Sequence, residues 1–202
     1  MLIHSLAMCL GYVGPLAEWK PDHSLVVLET SGYRAHPQFL KCKFRYLNLI
    51  FGGVGNECLL SDIARLPLGD ATVDIIISSD VFEHVRDDSG GFSEIARVLR
   101  PGGYFILEAP AIGELETTRV LVETRGDEDV YLAPPEYHAE KTLVYRYYGN
   151  DVADRLAALG LSVLLLRACV PASFVPEQTV VISQKADHLS LGPRRLSHRA
   201  WT

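Results

Sequence analysis

The chain has few cysteines, and none of the four is placed to work with another. Cys9, Cys42, Cys58 and Cys169 make no Cys-x-x-Cys pair and have no histidine at zinc-ligand spacing. Neither a zinc knuckle nor a disulfide framework is therefore supported, and a reducing cytoplasm is the expected setting. Positive charge is also short: 19 Lys and Arg against 25 Asp and Glu leave a net charge of −6. That balance is wrong for gripping nucleic-acid phosphates, so no nucleic-acid partner is expected. Residues 1–16 are mildly apolar, but they lack a basic n-region and His4, Gly11, Gly14 and Pro15 interrupt them. Neither a signal peptide nor a membrane span is expected. No internal repeat is visible, and no G-x-G-x-x-G follows the first apolar strand, which removes the nicotinamide-dinucleotide fingerprint.

What is present is apolar sequence cut into short pieces. With 202 residues, 48% of them hydrophobic, the chain can bury one sizeable core. Leu25-Val26-Val27-Leu28 reads as a strand buried on both faces, ending in Glu29-Thr30-Ser31-Gly32. Pro37 starts a helix of a turn or two before an extended pattern resumes at Phe44-Arg45-Tyr46-Leu47, and Cys58-Leu59-Leu60 is a third brief strand. Gly52-Gly53-Val54-Gly55 is a flexible turn on composition. Residues 73–79 carry Ile75-Ile76-Ile77, consecutive β-branched residues suited to a central parallel strand. A helix beginning near Ser89 puts Phe92, Ile95, Ala96, Val98 and Leu99 inward and Glu94 and Arg97 outward. It ends at Pro101, and Gly102-Gly103 turn the chain into a fifth strand over residues 104–108. Asn150 or Asp151 caps a later helix that stops at Gly160, and residues 161–166 and 179–183 pair as the last two strands. The alternation predicts a parallel α/β sheet with right-handed crossovers, whose ligands bind beyond the carboxyl ends of the strands. Glu29, Asp62, Ser79 and Asp80 all fall at such ends.

The order Asp62, Leu66-Pro67, Asp74, an apolar strand, Glu83-His84, then Arg97-Val98-Leu99-Arg100-Pro101-Gly102-Gly103 resembles the class I S-adenosylmethionine-dependent methyltransferases. The resemblance covers residues 25–183. It implies a Rossmann-like, doubly wound, mostly parallel sheet of seven strands with the last antiparallel, and S-adenosylmethionine as cofactor. It also implies roles for residues at the strand ends. Asp62 and the Ile63 amide would read the adenine; the backbone at Ser78 and Ser79, with Phe82 close behind, would line the methionine side; Glu29 would face the amino-acid portion. The Arg97–Gly103 string would be structural.

Two features depart from that family. The glycine-rich turn after strand one is reduced to the single Gly32, followed by Tyr33 and Arg34, and the acid expected after strand two is replaced by Asn48. A non-catalytic member of the fold is thus the alternative expectation. Pro134-Pro135-Glu136-Tyr137-His138 resembles an element of a subset of these enzymes; two prolines fix the backbone ahead of polar side chains, and His138 is the first choice for a general base. Residues 109–148 read as a lid or substrate insertion within a domain of residues 1–185, and residues 186–202 as a fraying tail. The insertion carries eight acidic residues against four basic ones, which disfavours a polyanionic acceptor. The expected acceptor is a small molecule or saccharide-like compound, methylated at oxygen or nitrogen.

Overall fold

A computed structural model describes residues 2–30, 36–49, 58–59, 62–138, 142–168 and 178–186. Seven strands form its central sheet: β1 (Val26–Glu29), β2 (Arg45–Leu49), β3 (Cys58–Leu59), β4 (Val73–Ser79), β5 (Leu99–Glu108), β6 (Leu161–Ala168) and β7 (Gln178–Lys185). Their order is β6-β7-β5-β4-β1-β2-β3. The pairs β4–β5, β1–β4, β1–β2 and β2–β3 are parallel, whereas β7 runs antiparallel to both β5 and β6. This is the expected α/β architecture with the last strand reversed.

Alternation along the strands builds two cores, because successive side chains point to opposite faces of a sheet. Leu28, Ile76, Phe105 and Leu107 face a core shared with Phe92, Ile95 and Val98 of α3 (Asp88–Val98) and Val152 and Leu156 of α4 (Val152–Ala157). Val27, Ile75, Ile77 and Ile106 face the other, with Leu40 of α2 (His36–Lys41) and Leu2 and Leu6 of α1 (Leu2–Leu10). Helix α1 is an element the sequence pattern did not reveal. Its apolar residues, read as a merely interrupted segment, cover the second face of the sheet together with Trp19, which stacks on Tyr12 at 4.7 Å. Among the described residues no helix is long and apolar enough to cross a membrane.

Three local expectations need correction. Strand β5 begins at Leu99, not Tyr104, and Pro101-Gly102-Gly103 lies inside it as a bulge: Val73 pairs with Leu99, and the next register pair is Ile75 with Tyr104. Gly102 takes φ +80°, and a Cβ on Gly103 would lie 2.8 Å from the Asp74 carbonyl, so the two glycines let the chain buckle against β4. Glu94 and Arg97 do not project outward. Both bend back over the loop after β3, where Glu94 accepts from the Leu66 amide and Arg97 donates to the Leu66 and Leu68 carbonyls. Finally, Asp151 stands at the N-cap of α4 as expected, but its side chain makes no capping hydrogen bond. Asn150 accepts from the Gly113 amide and Asp151 from the Thr118 amide and hydroxyl, so both hold the start of the insertion, while Gly160 with φ +81° ends the helical turn as expected.

The insertion is built from three small antiparallel pairs: Arg119–Val120 with Arg146–Tyr147, Val122–Arg125 with Glu128–Tyr131, and Tyr137–His138 with Thr142–Leu143. Leu121, Val122 and Val144 form its own buried centre. Its end is tied down by Asp88, which receives hydrogen bonds from Tyr148 at 2.8 Å and Arg155 at 2.8 Å and lies 3.0 Å from Arg146. Apart from Ala186, the tail falls outside the described residues.

Candidate functional site

The carboxyl ends of β1, β2, β4 and β5 bring buried polar side chains together at one end of the parallel strands. Glu29 and Asn48 are register partners, as are Ser79 and Glu108. All four are buried. Glu29 accepts from the Tyr46 hydroxyl at 2.5 Å, Thr30 donates to Ser78 Oγ at 2.9 Å, and Ser79 donates to Asp80 at 3.0 Å and Glu108 at 3.3 Å. The Asn48 carboxamide oxygen is buried with no hydrogen-bond partner among the described residues. An unpaired buried acceptor is costly, and a ligand hydroxyl or amine would satisfy it.

Asp62 stands at the start of a short turn, Ile63–Arg65, and its Oδ1 accepts from the Ala64 amide at 2.9 Å. It is exposed, while the Ile63 side chain is buried. A carboxylate can cap a turn with one oxygen and accept from a ligand with the other. Phe82 is fully buried, stacked 4.4 Å from Phe92 and tilted against Phe105. Its ring supports the loop from behind and has no surface of its own to offer a ligand. Gly32 and the residue 52–55 turn lie outside the described residues.

Beyond β4 the chain turns sharply at Asp80, whose φ of 54° is left-handed, and enters the short Phe82–His84 helix. There the structure brings His138 onto Glu83 and His84. His84 Nε2 lies 3.6 Å and His138 Nδ1 3.9 Å from Glu83 Oε1, and the two imidazole nitrogens are 3.2 Å apart. Glu83 is fully buried, and neither of its oxygens has a hydrogen-bond partner among the described residues. Burial pushes its carboxyl up to about 7. Burial likewise lowers His84 from its ordinary value, against the opposing pull of the Leu143 carbonyl, which lies 2.8 Å from Nδ1. The Glu83-His84 pair is visible in the sequence, but its contact with His138 is not, because it depends on how the insertion folds. Thr30 and Glu108 were also not anticipated as site residues; each is a polar residue at the end of an apolar strand, which is the signal that marks them.

A cleft of about 300 Å³ opens elsewhere, between the start of α3 and the insertion, lined by residues that include Arg86, Asp88, Thr118, Glu123 and Arg155. None of its lining residues belongs to the strand-end group. The strand-end group has the chemistry; the cleft is a gap beside the Asp88 tie.

Residues 26–107 match the family model described as a methyltransferase domain. That segment is similar to a methyltransferase domain, and the sheet order is that of an α/β fold. Among curated relatives, a Mycolicibacterium smegmatis protein carrying the name of an S-adenosylmethionine-dependent methyltransferase is 47% identical over 49 residues, 24% of this chain and 19% of the relative. A malonyl-[acyl-carrier protein] O-methyltransferase of Serratia marcescens is 41% identical over 58 residues, 29% of this chain and 23% of the relative. The chain thus spans about a fifth of the length of the curated relatives it matches first. Among solved structures, the chain resembles a Burkholderia thailandensis 1,6-didemethyltoxoflavin-N1-methyltransferase bound to 1,6-didemethyltoxoflavin and S-adenosylhomocysteine. The TM-score is 0.61 at 18% identity, over 91% of this chain and 76% of that one. At this identity the likeness establishes the fold alone.

Proposed function

We propose that the protein is an S-adenosylmethionine-dependent methyltransferase acting at an oxygen or nitrogen of a small-molecule or saccharide-like acceptor. The observation that carries this is the row of polar groups at the parallel strand ends, with the buried Asn48 oxygen unsatisfied beside Glu29. A vicinal ribose diol fits that oxygen as donor, Asp62 and the Ile63 amide suit an adenine edge, and Glu29, Ser78 and Ser79 suit an amino-acid tail. Gly32 belongs to the same proposal by its place after β1. We place the acceptor side beyond β4, beneath the insertion, near the partly exposed His138.

S-adenosylmethionine supplies a methyl group on a sulfonium, and its displacement needs an attacking lone pair in line with the leaving sulfur. The chain's own task is to align the two partners and keep water away. The buried strand ends and the tied-down insertion suit both tasks.

Thermal stability measured with S-adenosylmethionine, S-adenosylhomocysteine and NAD tests the proposal. A ligand present at 100 times its dissociation constant stabilises by about 2.7 kcal/mol. Stabilisation by the first two alone, lost in D62A, is the expected result. A protein unmoved by all three would overturn it and leave a non-catalytic member of the fold.

A further inference from the structure

We propose that Glu83, His84 and His138 form a binding site for one divalent transition-metal ion of the zinc type, beside the methyl-acceptor position. The three side chains offer one oxygen and two nitrogens, all mutually within 4.8 Å. Zinc bonds of about 2.0–2.2 Å in tetrahedral array place donor atoms about 3.3 Å apart. The separations here are 3.2, 3.6 and 3.9 Å, so an ion closes the triangle by drawing two atoms together.

The tautomer of His84 is already the one a ligand needs. A carbonyl only accepts, so the proton resides on Nδ1 toward Leu143, and Nε2 keeps its lone pair toward Glu83 and His138. The Leu143 carbonyl thereby holds the ring in orientation. His138 faces the site with Nδ1, and metal binding moves its proton to Nε2.

Glu83 supplies the independent observation. A carboxyl with no accessible surface and no hydrogen-bond partner among the described residues is costly to bury in either protonation state, and a compensating group relieves that cost. Neither neighbouring imidazole is within hydrogen-bond distance of it, since both contacts exceed 3.5 Å. A dication between the three groups satisfies the carboxylate and both lone pairs together.

The donor set also selects the ion. Two imidazoles and one carboxylate favour zinc and its first-row neighbours over magnesium or calcium, which require oxygens. Three protein ligands leave a fourth position open, the pattern of a catalytic rather than a structural zinc. Exposure rises from Glu83 through His84 at 15% to His138 at 40%, so the open position lies on the solvent side, where an acceptor hydroxyl would enter. There the ion would lower the hydroxyl's pKa and make a separate base unnecessary. This last role rests on the proposed methyl transfer; occupancy of the site does not.

The test is calorimetric titration of the metal-stripped full chain with Zn²⁺, and with Mg²⁺ as control, for wild type, H138A and E83Q. S-adenosylhomocysteine is titrated in parallel. One Zn²⁺ per chain is expected, weakened at least tenfold in each variant, with no comparable Mg²⁺ binding. Because H138A alters a partly exposed side chain and E83Q exchanges a buried carboxyl for an amide of the same shape, both variants should fold without metal as well as wild type. Zn²⁺ binding that is absent, or unchanged in H138A and E83Q, overturns the site. Loss of unfolding stability in E83Q with an unchanged titration would instead assign Glu83 a structural role. S-adenosylhomocysteine binding without Zn²⁺ would sink this inference and spare the methyltransferase proposal; the reverse outcome would do the opposite.

Discussion

Arg97 donates from Nη1 to the carbonyl of Leu68 at 2.8 Å, so a residue on α3 holds a loop that lies far earlier in the chain. The same guanidinium reaches the Leu66 carbonyl, Asp70 and both oxygens of Glu94, which in turn accepts from the Leu66 amide. The loop so fixed begins with the Asp62 turn. The proposed adenine contact is therefore positioned by Arg97, from outside the strand-end group.

Removing that clamp is expected to loosen the loop. R97A should lower unfolding stability by about 1–2 kcal/mol and weaken S-adenosylhomocysteine binding, whereas R97K should restore the charge but not the fork of contacts. Urea unfolding and calorimetric titration check both effects. Unchanged affinity in R97A would separate the clamp from the ligand site.

Asp88 is expected to make stability pH dependent. Burial alone would raise its carboxyl, but the hydrogen bond from Arg155 and the charges of Arg146 and Arg155 outweigh it and hold the pKa below the ordinary value. A carboxyl depressed on folding stabilises above its unfolded value and loses that contribution as pH falls through the folded one. D88N, which leaves the buried Arg146 uncompensated, is expected to cost about 3 kcal/mol at pH 7. The gap to wild type should narrow below about pH 4. Urea midpoints at pH 7, 5, 4 and 3 would show it; a constant gap would mean the ion pair does not set the dependence.

The bulge in β5 distinguishes its two glycines. A Cβ on Gly102 meets nothing within 4 Å, so G102A bears only the left-handed backbone cost of about 1–2 kcal/mol. On Gly103 the added atom meets the backbone carbonyls of Asp74 at 2.8 Å and Arg100 at 2.9 Å, which cannot swing aside. G103A should therefore fall at the upper end of the roughly 1–3 kcal/mol of overpacking. Thermal midpoints compare them, and a G103A protein as stable as wild type would contradict the bulge.

Helix α1 is expected to be part of the folded domain. Leu6 is fully buried against the sheet, and L6A should cost about 2–5 kcal/mol by leaving a cavity. A loss under about 0.5 kcal/mol, the size of a surface change, would detach the helix from the core.

The sequence by itself determined the sheet's order of elements and its central strand. Residues 73–79 are β4 as expected, because three β-branched residues in a row leave a doubly covered strand as the fitting environment. The ends of β1 (expected at Leu25 and Leu28) and the start of α3 (expected near Ser89) match within one residue, because a buried apolar run and an amphipathic helix face are local signals. Local signals failed where a partner decided the outcome. Leu99 to Gly103 joins β5 only because Asp74 of β4 accommodates the bulge, and α1 is a helix whose burial depends on the sheet face it covers. Tertiary structure alone decided the candidate acceptor side. Glu83 and His84 sit on a short helix after β4, and His138 arrives from 54 residues away on an irregular insertion packed around Leu121, Val122 and Val144. No periodicity encodes that meeting, because it depends on packing between segments rather than on the conformation of either one.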